Sequence, residues 1–160
     1  MKILSMKTTI FLGAMLSLLV CLMFTGCSNS ETNSTSRGLT DFAHIEEEYL
    51  ATIDSLNWPD GIALPDKLED EDTGASFQVG YGETRASYLW EYSWMKEWLD
   101  TYNTDPERAE KALEELEKAF DMPYMGIDRC DDATRNYLRE NIDKAKLGDP
   151  SGFTESIRAN

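Results

Sequence analysis

Positive charge is what this chain has least of. Fifteen Lys and Arg stand against thirty Asp and Glu, for a formal charge of −15 and a pI near 4.3. Nucleic-acid phosphates and anionic lipid headgroups both need Lys and Arg to neutralise them, so this balance excludes either as a charge-driven partner. Histidine occurs once, at His44, which excludes His-rich metal sites. Cysteine occurs three times, at Cys21, Cys27 and Cys130, too few for a disulfide-built scaffold. Proline occurs five times: Pro59, Pro106, Pro123 and Pro150 fall where a helical pattern begins or ends, and Pro65 interrupts the irregular stretch between helices.

What is present begins with an address. Met1–Lys7 carries Lys2 and Lys7 and no acid, and Thr8–Phe24 follows with no charge at all, a basic region and then an apolar one in the manner of a secretory leader. The run ends at Phe24-Thr25-Gly26-Cys27. As an uncleaved helix, Thr8–Gly26 spans about 28 Å, barely the hydrocarbon thickness, and a polar tract begins at once after it. Cys21 is a poorer cleavage point because the branched Val20 precedes it.

The segment through Cys27 resembles the lipobox of bacterial lipoproteins. Thr25 and Gly26 fit its small positions, and Phe24 stands, apolar, where Leu is usual. The resemblance implies removal of residues 1–26 as a signal peptide and lipidation of Cys27 with diacylglycerol, so that palmitate-type chains hold the protein to the extracytoplasmic face of a bacterial cell membrane. At ~0.8 kcal/mol per buried methylene, two or three acyl chains hold where one would not. Nothing in this resemblance reaches beyond Cys27.

Cleavage there leaves 134 residues with a charge of −17 and one thiol outside the lipidated position, Cys130. A lone thiol makes no internal disulfide, so the exported body is expected to hold together by packing, with Cys130 buried and idle. Ser28–Gly38 is small and polar and contains no apolar residue, the composition of a flexible tether reaching roughly 17–20 Å. Residues 27–38 are therefore read as lipidated Cys and tether, and residues 39–160 as an acidic helical domain.

Within that domain the pattern predicts an all-α fold, a small four-helix bundle with one long irregular loop. Helix one is expected over Thr40–Leu56, with Phe42, Ile45, Tyr49, Ile53 and Leu56 on one stripe and His44 on the far side. Asn57-Trp58-Pro59-Asp60-Gly61 stops it. Ile62–Gly82 reads as the loop, with Ser76–Val79 a short extended piece lacking a partner strand. Helix two is expected over Glu83–Asn103 and holds six of the seventeen aromatics between Tyr88 and Tyr102. Helix three opens on Thr104-Asp105-Pro106-Glu107, read as a capping box with Pro in the first turn, and ends by Pro123. Glu107–Lys111 and Glu114–Lys118 are expected as i,i+4 pairs on its wet side. Helix four is expected over Asp131–Leu147, its acids at the start and Lys144 and Lys146 at the end, with one further short turn at Phe153 and Ile157.

Few residues invite chemistry. Trp90, Trp94 and Trp98 recur at i, i+4, i+8 and, with Tyr88, form the candidate binding face; the alternative is that the three indoles simply fill the core. The run Asp66–Gly74 suggests calcium, but an EF-hand loop starting at Asp70 would place Gly74 and Tyr81 at ligand positions. Gly80-Tyr81-Gly82 resembles a phosphate loop only until Glu83, an acid where the lysine belongs. No cofactor and no metal follow from the sequence. The function expected is binding of an extracytoplasmic protein, peptide or glycan of the envelope. Two alternatives stand beside it: a small hydrolase of envelope polymers using an Asp/Glu pair, and a structural subunit of an envelope complex.

Overall fold

A computed structural model describes residues 38–69 and 71–159. The leader Met1–Gly26, the lipidation candidate Cys27 and the tether up to Arg37 lie outside the described residues, as does Asp70 of the acidic run. No helix among the described residues is long and apolar enough to cross a membrane.

The chain is mostly helical. In order it forms β1 (Leu39–Thr40), α1 (Phe42–Ser55), β2 (Phe77–Gln78), α2 (Tyr81–Thr101), α3 (Pro106–Glu117), two 3₁₀ turns (Lys118–Asp121 and Pro123–Met125), α4 (Asp132–Lys146) and α5 (Ser151–Ala159). Three helices start on a local aspartate whose carboxylate accepts a first-turn N–H. Asp41 takes the N–H of His44 at 3.1 Å, Asp105 that of Arg108 at 3.2 Å and Asp131 that of Thr134 at 2.7 Å. The cap of α3 is thus Asp105, one residue later than the expected Thr104, because Pro106 fixes the first helical position directly behind it.

Two expectations change. The extended piece at Phe77–Gln78 does have a partner: Leu39 pairs with Gln78 and Thr40 with Phe77, antiparallel, so Thr40 belongs to a strand and not to helix one. The C-terminal turn at Phe153 and Ile157 is a full helix of nine residues, which makes five α-helices and a two-stranded sheet among the described residues where four helices and a short turn were expected. Gly148, at φ +79°, reverses the chain between α4 and α5, a conformation that a side chain resists.

Helix α2 is the hub, packing on α1, α3 and α5. One core cluster joins Trp90, Trp94, Met95 and Trp98 to the alanine-bearing face of α3 (Ala109, Ala112, Leu116), to Ala119 of the 3₁₀ turn after it, to Leu138 and Ile142 of α4, and to Phe153 of α5. Small residues on α3 leave the room that indoles need; each buried indole contributes roughly 4–6 kcal/mol of transfer free energy. A second cluster sets Ile45, Tyr49 and Ile53 of α1 against Ala86, Leu68 and Phe77, with Trp58 touching both. The helix-one stripe is therefore the buried one, and His44 is exposed as expected.

Candidate functional site

The indole stripe is core. Trp90 and Trp94 are 1% exposed and Trp98 is 2% exposed, so none presents a ring face to solvent. Of the expected face Tyr88, Trp90, Trp94, Trp98, only Tyr88 reaches the surface, at 49% exposure, its ring edge-on to Tyr124 at 5.6 Å. The physical reason lies at Asn57. Its backbone carbonyl accepts the indole N–H of Trp90 at 2.8 Å and that of Trp94 at 3.1 Å, which removes the polar cost of burying both. Trp98 stacks on Tyr102 at 4.6 Å and meets Phe153 edge-on at 5.3 Å.

The glycine turn before α2 does cradle an anion, and the chain supplies it. The Glu48 carboxylate, from α1, accepts the N–H of Gly80 at 2.8 and 2.9 Å and that of Gly82 at 3.2 Å. It occupies the positive end of a twenty-one-residue helix, where an exogenous phosphate would otherwise sit. Gly80 adopts φ +88°, and a Cβ there would meet the guanidinium of Arg129, which is paired with Glu83 at 2.5 Å.

The acidic run is tied down by its neighbours. Glu71 accepts the Tyr81 hydroxyl at 2.7 Å and pairs with Arg85, while Leu68 is buried and donates its N–H to Glu46 at 3.3 Å. Among the described residues no group of three or more His, Cys, Asp or Glu is arranged to hold a metal ion. His44 Nε2 lies 3.3 Å from Glu48, beside no nucleophile. Cys130 is buried against the Met125 sulfur at 3.5 Å, and burial pushes its thiol pKa up, away from the reactive thiolate.

One acid escaped the sequence reading. Glu91 accepts the Tyr124 hydroxyl at 2.7 Å, and burial raises its carboxyl to about 7, against the partial opposition of that hydrogen bond. The Tyr124 phenol is pushed up as well, by burial first and by Glu91 second. Both members of the pair therefore hold their protons more tightly than in water. Glu91 does not line any of the three grooves described next, and its one hydrogen-bonded partner is a phenol that resists ionisation. In sequence nothing links the two residues, which are 33 positions apart.

Among the surface grooves of the described residues, three adjoin α2, and charge separates them. Beside Pro59–Ile62, a groove of about 470 Å³ contains Glu97 and Asp100, yet Arg108 clamps Glu97 through two bonds of 2.7 and 2.9 Å and Lys96 pairs with Asp100 at 2.6 Å. At Gly80, a groove of about 360 Å³ contains Arg129, already paired with Glu83. The third, of about 450 Å³, runs along α3 and differs from both. Tyr102 and Leu113, half-buried, form its apolar side over the buried Trp98 and Ala109, while Glu110, Glu114 and Glu117 line it as well. Glu117 pairs with Lys146 at 2.5 Å, and Glu110 and Glu114 have no cationic partner among the described residues. Lys118, expected to pair with Glu114, pairs with Glu115 at 2.6 Å, and Lys111, expected on Glu107, lies over the Trp94 ring at 5.7 Å. Leu147, between the groove residues Lys146 and Gly148, is 88% exposed.

The sequence carried a partial signal for this groove. Glu110, Leu113, Glu114 and Glu117 share one face of α3 by their i, i+3, i+4, i+7 spacing, but Leu113 reads as core and the glutamates as ordinary wet side. What made them a groove is the C-terminal end of α4, brought alongside by the fold. Comparison with protein-family models, with curated proteins and with solved structures finds no match for this chain.

Proposed function

We propose that this protein is a lipid-anchored binding module of a bacterial envelope, held at the extracytoplasmic face through Cys27 and engaging a partner through the groove along α3. The lipobox at Phe24–Cys27 supports the anchor. The groove carries the binding reading: it sets an apolar side beside two carboxylates that no cation among the described residues neutralises. Carboxylates left without a cation beside apolar surface contribute little to the stability of the fold, and they are suited to steering an incoming partner. Catalysis finds less support. Glu91, the acid whose pKa approaches neutrality among the described residues, sits apart from this groove and faces a phenol. A four-helix arrangement enters this reading only as the bundle that α1 to α4 would form around α2, with α5 closing one side.

Two measurements test the reading. Radiolabelled palmitate is expected to enter the wild type and not Cys27→Ala; equal labelling removes the anchor. A photo-crosslinking amino acid at Leu147, in the full chain in living cells, is expected to yield a discrete adduct, while the same probe at Asp54 on the exposed face of α1 yields none. Absence of any adduct from Leu147 removes the binding reading.

A further inference from the structure

Resting on that reading, we infer that the partner's contact with the α3 groove is a basic amphipathic helix, its apolar residues set against Leu113 and Leu147 and its Lys or Arg side chains against Glu110 and Glu114. Four observations carry this choice. The first is charge: the two glutamates have no cationic partner among the described residues, and the chain as a whole is at −15, so approach of an acidic or phosphate-bearing partner is repelled. The second is the backbone of the walls. The groove is lined by residues of α2, α3 and the end of α4, whose main-chain groups are largely spent inside their own helices. An extended peptide laid there would lose water from N–H and C=O groups without gaining main-chain partners. A helix arrives with its own already satisfied.

The third observation concerns sugars. A glycan binds through exposed aromatic faces, and Trp98, the indole of this groove, is 2% exposed. Its ring face is already covered by Tyr102, stacked at 4.6 Å. The fourth is size. From Pro106 to Glu117 the groove follows α3 for about 16 Å, three turns at ~1.5 Å per residue, the length over which a helix presents anchors at i, i+3 or i+4, and i+7. Leu147 lies in sequence between the lining residues Lys146 and Gly148 and is 88% exposed, free to meet a partner seated there, and Glu117 already neutralises Lys146.

The adducts formed from Leu147 in cells supply the test, through the identity of the captured segment determined by mass spectrometry. The expected adduct is a polypeptide segment of net positive charge with apolar residues at helical spacing. The double substitution Glu110→Lys with Glu114→Lys, both at exposed positions, is expected to lower adduct yield roughly tenfold, since two attractive rim contacts become repulsive. Circular dichroism checks that this variant is folded; the milder Glu110→Gln with Glu114→Gln is expected to lower the yield severalfold and serves if it is not. An adduct with a glycan or lipid, or with a neutral or acidic segment, overturns the inference and leaves the binding module standing. A yield unchanged by charge reversal overturns it also. Absence of any adduct overturns both readings together.

Discussion

The two ends of α2 meet their neighbours in opposite ways. At its start the helix comes so close to α1 that Gly82 has no room for a side chain: a Cβ there would lie 1.8 Å from the Ile45 carbonyl oxygen. Ala86, one turn on, continues this narrow contact, and the Glu48 carboxylate bridges the two helices by capping α2. From Trp90 onward the same helix stands off from its neighbours by the width of an indole, with alanines on α3 receiving the bulk. One helix thus combines a backbone-tight joint with an aromatic-filled one. The first depends on what is missing at a single position, the second on volume shared among many side chains, so a small change should cost more at the first than at the second.

That contrast can be broken directly. Gly82→Ala adds one methyl against fixed backbone and is expected to cost about 4 kcal/mol or more in urea unfolding, if the chain folds at all. A cost below about 1 kcal/mol would mean that α1 and α2 slide apart freely, and the tight joint would lose its meaning.

The next effect belongs to the wide part of the helix. Glu91 keeps its proton up to about pH 7 in the fold, against an ordinary value of 4.5. Between those two values the folded state binds more protons than the unfolded chain. Its contribution is therefore full below pH 4.5 and is lost as pH rises through 7, a decline of roughly 3 kcal/mol in all. Glu91→Gln stays neutral and still offers Tyr124 an acceptor, so the stability difference between wild type and variant is expected to change across this window and level off above it. Parallel curves from pH 4 to pH 9 would show Glu91 to be solvated.

The smallest effect returns to the tight end. Glu48→Gln replaces one carboxylate oxygen by an amide NH₂ facing the Gly80 and Gly82 N–H groups and removes the charge at the helix start. A loss of about 1–2 kcal/mol is expected, read by thermal or urea unfolding. No loss at all would place the carboxylate in solvent and leave α2 uncapped.

The same contrast explains what could be read in advance. Features that close within one turn were legible: Asp131 at the head of α4, Pro106 at the head of α3, and the Ile45, Tyr49, Ile53 stripe of α1. Features that depend on residues far apart in sequence were not. The pairing of Leu39–Thr40 with Phe77–Gln78 joins segments 37 to 39 residues apart, and each alone is two residues long. The cap of α2 comes from 32 residues upstream, so the sequence excluded a phosphate loop at Gly80-Tyr81-Gly82 without showing which carboxylate fills the turn. The indole stripe was visible, but its side was not. Periodicity places three tryptophans on one face and leaves undecided whether that face looks inward; the Asn57 carbonyl decided it. The groove was hardest, because its rim lies on a helix whose exposed side reads as ordinary until the end of α4 arrives beside it.

The single carbonyl of Asn57, shared by two indoles, has an optical consequence. Trp90 and Trp94 are shielded from water together with Trp98, and only Trp58 of the four tryptophans is partly accessible. Light emitted by these residues reports a dry environment as long as the body stays closed, and moves to longer wavelength when solvent floods in. The protein thus carries its own unlabelled gauge of every loss of structure discussed above, in the core where four of its helices meet.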